Sequence, residues 1–232
     1  MSRLPRPDLA GVPQHVIQRG NDRKPCFVDD DDRYRYLQAL QKTSSRYGCA
    51  IHAFVLMTNH VHLLVTPAVV GSVSRMMQSI GRSHVAQFNL RHERTGTLWE
   101  GRYKSCLVDT EIYVLACYRY IELNPLRAAL VDRPSEYRWS SYSANCGARP
   151  STLVHPHDAY LALGATAVDR CHAYRVILGD AMPEDQLHEI RRYTQQQRAL
   201  GTGRFQEMVQ RELGRCAAVR PAHRPIGTQK AL

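Results

Sequence analysis

The strongest pattern of apolar and polar positions in the chain is the alternation over residues 60–65, which read H-V-H-L-L-V. Successive side chains of a β-strand point to opposite faces. His60, His62 and Leu64 are therefore expected on one face of a strand, with the intervening apolar residues on the other. Two neutral imidazoles on one rigid face provide part of a metal site, and the remaining ligands must come from elsewhere in the chain.

Hydrophobic periodicity on both sides of this strand predicts further strands and helices. Acidic residues at 29–32 mark the first turn of a helix, and Ser72 is a suitable N-cap for a longer one. The predicted order is a strand at 12–19, a helix ending near 48, strands at 49–57 and 60–66, a helix from 72 towards 91, a strand at 102–108 and a helix over about 110–124. This β-α-β-β-α-β order with one more helix is typical of a ferredoxin-like α+β fold, with four strands in one antiparallel sheet and helices on one face.

The composition of the chain changes after Tyr142. Residues 147–156 are rich in Gly, Pro and Ser, which is typical of a linker. We therefore expect a catalytic domain at 1–145, a linker at 146–157 and a small, basic helical extension at 158–232.

The extension contains four short helical patterns, at 158–163, 169–178, 184–200 and 204–213. The last two flank a Gly-Thr-Gly turn, which suits either a plain scaffold or a DNA-contacting helix–turn–helix. From Arg191 onward the chain has eight arginines and Lys230 against two glutamates. This basic end favours the DNA-contacting role.

The whole chain is basic, with a formal net charge of +10 over 232 residues and an isoelectric point near 9.5. Concentrated positive charge favours a polyanionic partner, above all nucleic acid. The alternative is a solvated basic surface without a partner.

Composition also narrows the cellular setting. The apolar share is 44% and the mean hydropathy is −0.41, and no apolar run approaches the roughly 20 residues that span a bilayer. The N-terminal charges are not followed by an apolar segment, so we expect no secretory signal. Seven scattered cysteines without a C-x-x-C pair argue against a disulfide framework. We therefore expect a cytoplasmic protein that makes no membrane contact.

A second informative segment is the predicted helix that ends in Y-I-E-L-N-P at 120–125. Tyr120 and Asn124 lie four residues apart, so they share a helix face one turn apart. Pro125 is expected to end the helix and to leave the Asn124 amide free. An amide oxygen is a suitable hard ligand for Mg²⁺ or Mn²⁺, which otherwise keep their waters and bind substrate phosphate.

The segments H-V-H-L-L-V and R-Y-I-E-L-N-P-L-R-A together resemble the HUH single-tyrosine transposases, and especially their domesticated branch, the REP-associated tyrosine transposases. The similarity runs from about Val12 to Tyr142. It includes L-M-T-N-H-V-H at 56–62, G-T-L-W-E-G-R-Y-K at 96–104 and Y-R-W-S-S-Y at 137–142. Each segment alone is weak, but their combination in this order is specific.

The resemblance implies a metal site formed by His60, His62 and Asn124, which hold Mg²⁺ or Mn²⁺, and a catalytic nucleophile at Tyr120. It also implies that the protein cleaves and rejoins single-stranded or hairpin DNA through a 5′-phosphotyrosine and a free 3′-hydroxyl. The phosphodiester bond energy is retained in the phosphotyrosine linkage, so the reaction needs no ATP. Related proteins act as monomers or homodimers.

Several basic residues lie at strand or helix positions near the expected site. The candidate DNA contacts are Arg19, Arg102, Lys104 and Arg119, each of which can equally be a solvated surface charge. Tyr113 lies seven residues before Tyr120 on nearly the same helix face, and it is either a packing partner or a second nucleophile.

Two other functions stay open on the sequence. A non-catalytic DNA-hairpin-binding or regulatory protein would use the same sheet and basic end without chemistry. A metal-dependent phosphodiesterase would use water as its nucleophile and form no adduct with DNA.

Overall fold

The computed structural model describes residues 5–110 and 113–220. The strands are β1 (Gln14–Arg19), β2 (Cys49–Met57), β3 (His60–Pro67), β4 (Lys104–Val108) and β5 (Ala199–Leu200). They form one sheet in the order β2-β3-β1-β4-β5. Neighbouring strands are antiparallel except β4 and β5, which are parallel. The predicted α+β class with four antiparallel strands is confirmed. Strand β5 was not predicted, because two residues are too short to show an alternating pattern.

The helices in the described part of the chain are α1 (Asp30–Tyr47), α2 (Ser72–Arg91), α3 (Val114–Glu122), α4 (Asn124–Arg127), α5 (Tyr142–Asn145), α6 (Asp158–Leu161), α7 (Ala167–Gly179), α8 (Glu184–Gln196) and α9 (Gly203–Leu213). Residues 111 and 112, in the predicted first turn of the Tyr120 helix, lie outside the described residues. So do residues 221–232 of the predicted basic end. None of these nine helices combines the length and the apolar character that a membrane span requires.

Two apolar cores lie on opposite faces of the sheet. On one face, Leu63 of β3 packs with Leu40 of α1 and Met76 of α2. On the other face, Leu64 of β3 belongs to a cluster with α3, α7 and α8. The expectation of helices on one face is therefore corrected. The second face also carries apolar residues of β2 and β4, and these need cover from water.

The C-terminal helices are packed on this second face. Helix α8 ends at Gln196 instead of near Leu200, because Gln197 adopts a left-handed backbone conformation with φ of 53°. Residues 199–200 then pair with Leu107 and Val108 of β4. The last two helices thus flank a strand of the main sheet and do not form a simple helix–turn–helix.

Candidate metal and nucleophile site

The paired histidines lie on the sheet face that α3 and α8 cover. In the β1–β3 ladder, Arg19 lies opposite His60 and Ile17 lies opposite His62. Cross-strand partners project to the same face of a sheet. The two imidazoles have centroids 5.0 Å apart and are nearly perpendicular, at 83°. His60 is half-buried and His62 is 3% exposed.

A side-chain amide determines which nitrogen of His60 carries the proton. Nδ1 of His60 lies 2.6 Å from Oδ1 of Asn59, and Nδ2 of Asn59 donates to the backbone carbonyl of Arg23 at 2.9 Å. Since an amide oxygen only accepts, Nδ1 of His60 donates and Nε2 keeps its lone pair. His60 therefore presents the unprotonated nitrogen that a metal ion requires.

A third histidine, His15 of β1, supports His62. His15 is 1% exposed and stacks on His62, with centroids 5.0 Å apart and an interplanar angle of 20°. Nε2 of His15 lies 2.8 Å from Nδ1 of His62. Nδ1 of His15 lies 3.0 Å from Oγ1 of Thr194 in α8. These contacts occupy Nδ1 of His62 and leave its Nε2 as the nitrogen for an external ligand.

Burial keeps these imidazoles neutral. Desolvation lowers the pKa of His15 to about 3. It also lowers the pKa of His60 to about 4, with a smaller effect of the Arg19 cation. The pKa of His62 is held well below its ordinary value, first by burial and then by its neighbours. Neutral imidazoles with Nε2 unprotonated are the donors that a divalent metal ion accepts, so the residues present fit such an ion.

Helix α3 brings Tyr120 to the histidines. The phenol ring meets His62 edge-on at 5.6 Å and His15 edge-on at 5.5 Å between centroids. The guanidinium carbon of Arg127 lies 4.6 Å from the centroid of the same ring, and the guanidinium donates to the Tyr120 carbonyl. Burial lowers the pKa of Arg127 to about 10, so the side chain is a cation at neutral pH.

Asn124 begins the short helix α4 and does not end α3. Helix α3 stops at Glu122, and Leu123 separates the two helices. Pro125 was expected to end the helix, but it lies in the first turn of α4, where its missing N–H costs no helical hydrogen bond. The side chain of Asn124 is half-buried and makes no hydrogen bond to another described residue. Its amide oxygen is therefore uncommitted.

The neighbouring tyrosines are engaged elsewhere. Tyr118 is fully buried, and its hydroxyl accepts the backbone N–H of His157 at 3.1 Å; burial raises its pKa. Burial and the Glu189 carboxylate of α8 raise the pKa of Tyr113. Of these three tyrosines, Tyr120 is the one whose ring contacts the histidine cluster.

A buried carboxylate holds the C-terminal end of α3. Oε1 of Glu122 accepts hydrogen bonds from Ser141 at 2.5 Å and from Asn145 at 2.7 Å. Oε2 accepts from the Tyr174 hydroxyl of α7 at 2.8 Å. Burial raises the pKa of Glu122 to about 7 against the opposing effect of these donors. The network ties the helix of Tyr120 to α5 and α7.

A basic cleft of about 590 Å³ opens beside the histidine pair. Its charged lining residues are Arg19, Arg23, Arg102, Lys104 and the single acid Glu100. One of the lining residues, Arg19, lies opposite His60 in the β1–β3 ladder. On its far side, Nζ of Lys104 donates to Gln195 of α8 at 2.5 Å. Three of the four predicted DNA contacts thus lie together.

The fourth predicted contact, Arg119, does not line this cleft. Its guanidinium donates to the backbone carbonyl of Asp180 at 2.6 Å, between α7 and α8. This contact joins α3 to the C-terminal helices.

A separate cluster of potential ligands lies at the N-terminal end of α1. Ligand atoms of Asp29, Asp32 and His92 lie within 4.8 Å of one another. The guanidinium of Arg91 forms ion pairs with both carboxylates. Because a cation already occupies this cluster, its geometry is explained by an ion-pair network that joins α1 to α2.

Three residues of the site are not predicted from the sequence. His15 shares a face of β1 with Arg19 by simple alternation, so a weak signal for it was present. Arg127 lies seven residues after Tyr120, but the expected helix end at Pro125 hid that spacing. No local sequence pattern marks Thr194, because its role depends on a contact with His15, which lies 179 residues earlier in the sequence.

Residues 10–124 match the family model described as IS200-like transposase. That segment contains β1 to β4, His60, His62, Tyr120 and Asn124. Over these residues the chain belongs to the IS200-like transposase family.

One solved structure agrees with this assignment at the level of the fold. A REP-associated tyrosine transposase bound to a REP hairpin superposes with a TM-score of 0.55 at 17% sequence identity, covering 68% of this chain and 93% of that one. A candidate transposase from Deinococcus radiodurans R1 is 20% identical, with a TM-score of 0.36 over 56% of this chain and 91% of that one. No curated protein matches the chain significantly. The predicted relationship to the single-tyrosine transposases is thus confirmed.

Proposed function

We propose that this protein is a metal-dependent DNA strand transferase that cleaves and rejoins single-stranded or hairpin DNA through Tyr120. The observation that supports this most is the edge-on contact of Tyr120 with His62, at 5.6 Å between ring centroids. It places the phenol beside a pair of neutral histidines whose Nε2 atoms are unprotonated. An inert DNA-binding protein has no use for this combination.

His60, His62 and the Asn124 amide oxygen would hold Mg²⁺ or Mn²⁺. When bound, the ion polarises the scissile phosphate and offsets charge in the in-line transition state.

The Tyr120 oxygen attacks the scissile phosphorus and forms a 5′-phosphotyrosine ester. The bond from phosphorus to the 3′ oxygen breaks, the phenol proton passes to solvent, and the 3′ oxygen leaves as a hydroxyl after taking up a proton. Attack of a 3′-hydroxyl on the phosphotyrosine reverses these changes and joins a DNA end. Each step exchanges one phosphodiester for another, so no energy source is needed.

Arg127 supports the nucleophile in this proposal. A guanidinium 4.6 Å from the centroid of the Tyr120 ring stabilises negative charge that develops on the phenol oxygen as its proton leaves. The hydrogen bond that the guanidinium donates to the Tyr120 backbone carbonyl also fixes the position of the cation.

The basic cleft would carry the DNA strand. Four cations line it against one acid, and phosphate neutralisation dominates the affinity of proteins for nucleic acids. The related transposase of similar fold is bound to a hairpin, which supports hairpin DNA as the substrate class. All seven cysteines are free thiols, which supports a reducing, cytoplasmic setting. Assembly as a monomer or homodimer remains part of this proposal.

The experiment incubates the purified protein with labelled hairpin oligonucleotides from DNA flanking its gene and with Mn²⁺, then resolves covalent adducts on a denaturing gel. The wild-type protein and Tyr113→Phe should form the adduct, and Tyr120→Phe should not. An adduct that persists in Tyr120→Phe and disappears in Tyr113→Phe would overturn the nucleophile assignment.

The same experiment separates the rival functions. A non-catalytic DNA-binding protein would form no adduct. Its affinity for the hairpin would be unchanged by EDTA and by His60→Ala. A phosphodiesterase that uses water would cleave the hairpin in Mn²⁺ but leave the protein unmodified.

A further inference from the structure

A series of three hydrogen bonds connects helix α8 with His62, one of the proposed metal ligands. It runs from the backbone carbonyl of Ile190 through Thr194 and His15 to His62. The first contact, from Oγ1 of Thr194 to that carbonyl, is 2.8 Å long. The other two are 3.0 Å and 2.8 Å long. Thr194, His15 and His62 are each at most 3% exposed.

The Ile190 carbonyl determines which partner donates in each of these hydrogen bonds. A carbonyl only accepts, so the single hydroxyl proton of Thr194 is donated to Ile190. The hydroxyl oxygen can then only accept from His15, whose Nδ1 must carry the proton. The neutral His15 ring keeps a lone pair on Nε2, and it accepts from Nδ1 of His62. The thiol of Cys106, 3.3 Å from the same hydroxyl, can donate to its remaining lone pair.

The outcome at the site is that His62 carries its proton on Nδ1 and has a bare Nε2. The opposite tautomer would put a proton on Nε2 and block it as a ligand. His60 reaches the same state through its sequence neighbour Asn59. The same tautomer is therefore set in two ways. For His60 it is set by the adjacent Asn59, and for His62 by Thr194, 132 residues further along the sequence.

We propose that Thr194 and His15 are positioning residues that hold His62 in the Nδ1-protonated tautomer, so that helix α8 is needed for metal binding. This inference rests on the proposed function of His60 and His62 as metal ligands. It assigns to the C-terminal helices a role in the metal site beyond their packing on the sheet.

The first measurement is the side-chain ¹⁵N spectrum of the metal-free protein, with His62 identified by the loss of its signals in His62→Ala. His62 should show a protonated Nδ1 and an unprotonated Nε2. In Thr194→Val, which keeps the shape but loses the hydroxyl, His62 should become a mixture of tautomers. Thr194→Ser should restore the wild-type pattern, and His60 should not change in either variant. A wild-type His62 with a protonated Nε2 would overturn the inference, whatever the variants do.

The second measurement is Mn²⁺ binding by calorimetry without DNA. Loss of a partner behind a metal-ligating histidine costs about 10- to 100-fold in metal affinity, so Thr194→Val should bind Mn²⁺ at least about tenfold more weakly and Thr194→Ser like wild type. In a His15→Phe background, Thr194→Val should have little further effect, because the hydrogen bonds between Thr194 and His62 are already lost. Equal Mn²⁺ affinity in wild type and Thr194→Val would contradict the positioning role of Thr194 and His15. Absence of Mn²⁺ binding in the wild type would instead contradict the proposed function. The ¹⁵N spectrum would still show whether Thr194 and His15 determine the tautomer of His62.

Discussion

The imidazoles of His15 and His62 stack at 20° and share a hydrogen bond of 2.8 Å, although 47 residues separate them. His15 lies opposite Leu64 in the β1–β3 ladder, two positions from the pair of Ile17 and His62, so it shares the face of His62. The pair therefore exists only in this register. A slip of one residue would move His15 to the face covered by α1 and α2. The register of two strands thus fixes the second partner of a candidate metal ligand.

Replacement of Arg127 tests the electrostatic support of the nucleophile. Removal of one preorganised group that stabilises developing charge typically costs about 10²- to 10³-fold in rate. We expect Arg127→Gln to slow single-turnover adduct formation at saturating hairpin by about 10²-fold on that basis, and Arg127→Lys to be intermediate because it keeps the charge. Arg133→Gln, on an exposed side chain paired with Glu136, is the matched control. Wild-type rates in Arg127→Gln would remove this residue from the mechanism.

A pair of variants distinguishes the two groups of potential metal ligands. Since Arg91 already pairs with the carboxylates beside His92, His92→Gln should leave Mn²⁺ affinity unchanged. His60→Ala removes a neutral imidazole with a free Nε2 and should weaken Mn²⁺ binding by at least about tenfold, as even indirect support of a ligand is worth that much. Calorimetric titration of the DNA-free protein measures both. The reverse result would place the metal at the α1–α2 cluster.

Alternation along the chain was sufficient to predict the faces of β3 correctly. Leu63 and Leu64 belong to different cores, as a period of two requires. The same rule also placed His60 and His62 together. Local patterns of this kind are readable because they depend only on strand geometry, and not on which strands become neighbours.

The rest of the site depends on contacts between distant parts of the chain. His15 becomes part of it only through strand pairing. Thr194 becomes part of it only because α8 packs on the second face of the sheet, and this face was expected to lack that cover. Arg127 is hidden by a local rule, because proline is expected to end a helix, whereas Pro125 lies in the first turn of the next one.

The basic cleft predicts how DNA affinity depends on salt. Each lost phosphate contact reduces the slope of log K against log salt by about one unit. Arg19→Ala and Lys104→Ala should each reduce the slope by about this amount and weaken hairpin binding in EDTA, where no cleavage occurs. Arg35→Ala is the control, since Arg35 lies on α1 and pairs with Asp31. A slope equal to wild type in both cleft variants would show that DNA follows another path.

Glu122 predicts a pH effect on stability with a defined sign. Its pKa is raised to about 7 in the folded protein by burial, from an ordinary value of 4.5. Between these values the folded state binds more protons than the unfolded state. The contribution of Glu122 to stability therefore falls as the pH rises through this window, and above pH 7 its full cost is present. The two pKa values correspond to a change of up to about 3 kcal/mol.

Glu122→Gln cannot ionise, yet its amide can accept from Ser141 and Asn145 and donate to the Tyr174 hydroxyl. Its free energy of unfolding relative to wild type should therefore increase between pH 5 and pH 8, by up to about 3 kcal/mol. Urea denaturation at the two pH values measures this difference, and the buried histidines cancel because both proteins contain them. The exposed Glu207→Gln controls for the loss of a carboxylate. A difference that stays constant or decreases with pH would show that Glu122 is ionised throughout and that its three donors outweigh its burial.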